Sequence, residues 1–142
     1  MKKVYPKVKK IINKSISEAK SRNDDSVRIE HIMISMINDD DNEAINYLKE
    51  LDVDLDNLHK MIELQMHKGD EATKVKHLPL HEETELILKN AETECDNLNE
   101  TYLNTHHIVL SLLNENNIIS KILIKMGINH KTYSETIQNS FD

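Results

Sequence analysis

Ile29-Glu30-His31-Ile32-Met33-Ile34-Ser35-Met36-Ile37 returns as Thr105-His106-His107-Ile108-Val109-Leu110-Ser111-Leu112-Leu113, at an offset of 76 residues (107 − 31). Each copy is a polar head followed by a run that is apolar on nearly every side. A helix facing solvent needs a polar stripe, so a run of this kind belongs inside an assembly of helices. The heads are then where the buried runs surface, and a binding site is expected there: Arg28, Glu30 and His31 in the first copy, Thr105, His106 and His107 in the second.

The repeat extends outward from these stretches. Val8, Ile11, Ile12, Ser15 and Ala19 recur at helical spacing as Thr84, Ile87, Leu88, Ala91 and Cys95, and Val27 returns as Leu103. After a one-residue deletion the offset is 75, and Leu48, Leu51, Val53, Leu58 and Ile62 answer Leu123, Met126, Ile128, Tyr133 and Ile137. Each copy therefore predicts four helices. In the first copy, helix one opens with Pro6 as a first helical residue, and helix two ends near Asn38. Helix three follows a turn and cap at Asp39-Asp40-Asp41, and helix four runs from Leu55 to about Met66, capped by Asp54, with Leu58, Met61, Ile62 and Gln65 inward. Gly127 falls where a helix end wants a left-handed residue.

The expected fold is all-α, about eight helices in a pseudo-twofold compact bundle of two four-helix repeats. One domain covers 1–142, with repeat 1 at about 4–66, a linker at about 67–79 and repeat 2 at about 80–139. Composition agrees, since 142 residues with two glycines, two prolines, one phenylalanine and no tryptophan suit helices better than a sheet protein with many tight turns. Gly69 and Gly127 stand alone, which excludes the clustered glycines of a P-loop or dinucleotide fingerprint. No cofactor is expected in this segment.

Twenty-five acidic against 18 basic residues give a net charge of −7, which argues against nucleic acid or an anionic membrane as partner. The early lysines, Lys2, Lys3, Lys7, Lys9, Lys10 and Lys14, read as the solvated face of helix one. One cysteine and no apolar run of transmembrane length lead to the expectation of a soluble, cytoplasmic protein. Cys95 reads as a small buried thiol, and the runs Asp39-Asp40-Asp41 and Asp52/Asp54/Asp56 as turns and caps. The histidines do not read as a metal site: only His77 and His81 have i, i+4 spacing, and Pro79 between them forbids a regular helix. His107 is expected at a partly buried helix start, and His81 at a cap before Glu82.

The ordered duplicate resembles the N-terminal, or Clp repeat, domain of the Clp/Hsp100 AAA+ ATPases, most closely that of ClpC. The pieces that carry the resemblance are Arg28-Ile29-Glu30-His31-Ile32-Met33-Ile34, Leu48-Lys49-Glu50-Leu51-Asp52-Val53-Asp54, Asn104-Thr105-His106-His107-Ile108-Val109-Leu110 and Leu123-Ile124-Lys125-Met126-Gly127-Ile128-Asn129. The resemblance implies a non-enzymatic module, monomeric in isolation, that captures protein substrates and adaptor proteins. It would hand them to the ATP-using modules of a parent hexamer and, through these, to a ClpP-type peptidase. A stand-alone Clp-repeat accessory protein without ATPase modules is the alternative. In some ClpC proteins the glutamate matching Glu30 helps bind phosphoarginine, its carboxylate pairing the guanidinium while helix amides receive the phosphate. Here Ile29 replaces the family threonine in the first copy and His106 replaces the family glutamate in the second. The implied heads are therefore unequal: Glu30 supplies a carboxylate without a phosphate-binding hydroxyl, and Thr105 a hydroxyl without the carboxylate.

Overall fold

A computed structural model of the chain describes residues 2–39, 41–66, 68–69 and 77–141. Pro6 sets the first turn of α1 (Pro6–Ser21), whose inward face of Val8, Ile11, Ser15 and Ala19 packs on α2 (Ile29–Asp39). Short helices α3 (Glu43–Glu50) and α4 (Leu55–Glu63) complete the first set. The second set repeats it as α5 (Glu82–Asn97), α6 (Thr105–Leu113), α7 (Ile118–Lys125) and α8 (His130–Asn139), with α5 packed on α6. These eight helices make the all-α frame that the repeat predicts.

The duplication reaches the backbone. Left-handed residues end α1 and α5 at Asn23 and Asn99 (φ 57° in each), and follow α3 and α7 at Asp52 (φ 60°) and Gly127 (φ 87°). Only the last was legible as a glycine. Asn and Asp tolerate the left-handed region well enough for the repeat to keep the geometry without keeping the residue.

The halves are interlocked. Strand β1 (Lys3–Val4), just ahead of α1, pairs in parallel with β2 (Tyr102–Leu103), just ahead of α6. The counterpart is a parallel bridge between Val27, ahead of α2, and Leu80, ahead of α5. The Tyr5 amide donates to the Leu103 carbonyl and the His81 amide to the Val27 carbonyl, each at 2.9 Å, so each repeat begins hydrogen-bonded to the other. Helix α3 packs on α6 and α8, while α4 packs on α2 and α7. The organising helices α2 and α6 lie at the centre of one shared core, with Met33, Ile34, Met36, Val109 and Leu110 fully buried.

Several expectations need correction. Helix α4 ends at Glu63, leaving Gln65 exposed and not inward. The cap of α3 is Asn42, whose side chain accepts from the Ile45 amide, while Asp39 closes α2. A carboxylate at a helix C terminus opposes the dipole, and here the early lysines answer it. Lys7, Lys14 and Lys10 lie 3.1, 3.2 and 3.7 Å from the buried Asp39 carboxylate, so three of these lysines serve this pairing as well as facing solvent. Burial pushes the Asp39 carboxyl up, but Lys7, Lys14 and Asn42 outweigh it and hold its pKa at about 2. Asp54 does cap α4 and His81 does cap α5, each accepting a first-turn amide. Of the expected linker, residues 67 and 70–76 lie outside the described residues. Its described ends are tied to the first repeat, the Gly69 amide donating to Arg22 and the Pro79 carbonyl accepting from Val27.

Candidate functional site

Each organising helix begins with a histidine locked by its own backbone. The Nδ1 of His31 accepts the Arg28 amide at 2.8 Å, and the Nδ1 of His107 accepts the Asn104 amide at 2.8 Å, the reciprocal half of a capping box. With Nδ1 accepting, the ring proton sits on Nε2, which must find an acceptor because both rings are buried. A carboxylate seven residues upstream lies beside it in both repeats, within hydrogen-bond distance in the second and beyond it in the first. Glu100 Oε2 lies 2.6 Å from His107 Nε2, and Asp24 Oδ2 lies 3.7 Å from His31 Nε2. Asp24 and Glu100 are themselves 76 residues apart, so the acid belongs to the repeat. It escaped a comparison of apolar positions alone.

The heads diverge in how they complete this pair. In the first, Arg28 Nε donates to Asp24 at 2.9 Å and the Asp25 amide donates at 2.8 Å. Burial raises the Asp24 carboxyl, but these bonds outweigh it and hold it below the usual carboxylate range. Arg28 is thereby committed to a buried acid. Glu30, next to it at the start of α2, is half-buried; its own backbone amide and the more distant Arg28 charge favour its carboxylate, but among the described residues no cation forms an ion pair with it. Burial, with the Glu83 charge adding to it, pushes its pKa upward, and a cation arriving there would relieve both.

In the second head, Glu100 accepts from His106 Nε2 at 2.9 Å as well as from His107. Burial pushes its carboxyl up, while His106 and His107 outweigh that and hold it down. Burial is also the main cause that lowers His107 to a pKa of about 4. The His106 ring meets Tyr47 edge-on at 5.5 Å, and the Thr105 hydroxyl accepts the Ala44 amide of α3 at 3.0 Å. Thr105, His106 and His107 are all buried, which corrects the expectation that this head surfaces. Its polar atoms join α6 to α3. Thr105→Val is expected to leave the Ala44 amide unsatisfied and to cost about 1–2 kcal/mol in chemical denaturation, with Thr105→Ser recovering most of the loss.

Glu100, His106 and His107 bring three ligand atoms within 4.8 Å of one another, a cluster that histidine spacing did not reveal. The hydrogen bonds say what it is. A metal on His107 Nε2 would need the lone pair there, and the Asn104 amide holds the ring in the tautomer whose proton occupies that nitrogen. The cluster is a carboxylate receiving two imidazole N–H groups. Cys95 is buried too, with Sγ 3.2 Å from the Glu100 carbonyl oxygen, and burial raises its thiol pKa.

The sequence model of the family described as Clp repeat (R) N-terminal domain matches residues 3–126, with an overlapping second match at 80–142. The chain belongs to this family. Clp N-domains of solved structure share its fold. The Hsp104 N-terminal domain from Candida albicans is 16% identical with a TM-score of 0.77, covering 95% of this chain and 89% of that one. The N-domain of ClpV from Vibrio cholerae is 16% identical with a TM-score of 0.83, over 95% of this chain and 82% of that one. A ClpV N-domain in complex with a VipB peptide is 17% identical with a TM-score of 0.76, over 91% and 81%. Among the described residues of this Clp N-domain, no helix is long and apolar enough to cross a membrane.

Proposed function

We propose that this Clp N-domain is the substrate- and adaptor-recognition module of a ClpC-like, cytoplasmic, ATP-dependent unfoldase, without catalysis of its own, and that its first head takes a guanidinium cation. The observation that carries the site is Glu30, a half-buried carboxylate with no ion pair among the described residues, Arg28 acting on it only from a distance. Peptide binding by a ClpV N-domain of the same fold supports the wider role. Captured proteins would pass to the ATPase ring and its ClpP-type peptidase.

The phosphate end of a phosphoarginine is less well served. Ile29 offers no hydroxyl, Arg28 is spent on Asp24, Glu83 adds negative charge nearby, and the His31 amide already donates to the Arg28 carbonyl, which leaves little of the first turn of α2 beyond the Ile29 amide to receive phosphate. Calorimetric titration with free phosphoarginine is therefore expected to find at most one weak site per chain, abolished by Glu30→Ala and kept in His106→Ala. Two tight equivalent sites would refute the asymmetry. No heat at any concentration would leave protein and adaptor docking as the whole role of the domain.

A further inference from the structure

Helices α4 and α7 pack side by side, and so do their repeat equivalents α8 and α3. The two pairs share the same inner residues in kind: Leu58, Ile62 and Leu123 in one, Tyr133, Ile137 and Leu48 in the other, all fully buried. The outer residues do not match. Between α4 and α7 lies a groove of about 390 Å³ that includes Met61, Leu64, Ile118, Ile124, Lys121 and Lys125 in its walls. Leu64 is 83% exposed and Ile124 57%. At the offset of 75, the places of Met61, Leu64 and Lys125 are held by Thr136, Asn139 and Glu50, which line the corresponding cleft between α3 and α8.

The duplicated cleft is an internal control. Its polar, acidic copy shows that the fold stands without an apolar rim, because the inner residues alone join the helices. An apolar rim in water adds nothing to folding and invites association, so its presence on one side only calls for an occupant. Charge narrows the choice. In a protein of net charge −7, both charged residues lining the groove among the described residues are lysines. A second copy of so acidic a chain is repelled at long range, whereas a short segment with apolar side chains flanked by carboxylates satisfies rim and lysines together.

We infer that the α4/α7 groove docks a short amphipathic, acidic segment of another protein, as a second recognition surface distinct from the Glu30 head. The probe is a fluorescent helical peptide with leucines on one face bordered by glutamates, with its lysine-bordered counterpart as control. Anisotropy is expected to show binding of the glutamate peptide and at least about tenfold weaker binding of the lysine peptide. Leu64→Asp should weaken the glutamate peptide at least about tenfold, since it places a charge in the apolar seat, and its exposed position leaves the helical dichroism unchanged. The double variant Lys121→Glu/Lys125→Glu should reverse the preference. Asn139→Asp in the polar copy and Glu30→Ala should change neither, which separates this inference from the phosphoarginine reading. Equal binding of both peptides, or binding insensitive to Leu64→Asp, overturns it. A concentration-dependent dimer abolished by Leu64→Asp, without peptide binding, would assign the groove to a second copy instead.

Discussion

Acidification from pH 7 to 4 is expected to remove about 6 kcal/mol of stability, close to the whole for a domain of ordinary stability. The source is the pair of buried helix-start histidines. His31 and His107 are each depressed to a pKa of about 4 in the folded chain, with burial the largest cause, against 6.5 unfolded. Between those values the unfolded chain takes protons that the folded chain refuses. The contribution is therefore complete above pH 6.5 and falls away as the pH drops toward 4, at about 3 kcal/mol per histidine. The depressed carboxylates act lower down. Asp39, held at about 2, gives a contribution present above its ordinary 3.8 and lost only as the pH falls through that range. Urea midpoints measured from pH 8 to 4 should fall steeply below 6.5. The double variant His31→Gln/His107→Gln should be weaker at pH 7 but nearly flat from 6.5 to 4.5. A flat curve for the unmodified protein over that window would show that the rings are not held neutral.

Truncation in the organising helices should have the next largest effect. Met33 and Leu110 are fully buried at the centre of the shared core, and Met33→Ala or Leu110→Ala should each cost about 2–5 kcal/mol through lost burial and the cavity left behind. Because α2 packs on α7 as well as on α1, and α6 on α3 as well as on α5, neither loss can be confined to one repeat. Both variants should unfold in a single transition with a lowered denaturant midpoint. Leu64→Ala, at an 83% exposed position, should stay within about 0.5 kcal/mol of the parent. A change under about 1 kcal/mol in both core variants would place these residues outside the packed centre.

The all-α class, the duplication and the inward positions of most helices were legible in the residues, because helical periodicity and end signals act over a few residues and need no partner. Pro6 at the start of α1, Asp54 and His81 as caps, and Gly127 after α7 are all of this local kind. The acids beside the histidines were within reach: Asp24, buried, and Glu100, half-buried, stand seven residues before His31 and His107, and comparing polar as well as apolar positions between the copies would have exposed them. What tertiary structure alone decided is which orphaned polar groups meet. Thr105 looks like a free helix-start hydroxyl until the Ala44 amide, 61 residues earlier in the chain, is brought to 3.0 Å from it. Asp39 looks like a turn residue until α1 lays three lysines across it. The two heads therefore end in different places, one half-exposed around Glu30 and the other sealed under Tyr47, since helix docking sets which end of a buried run is covered and a periodic pattern carries no information about that contact.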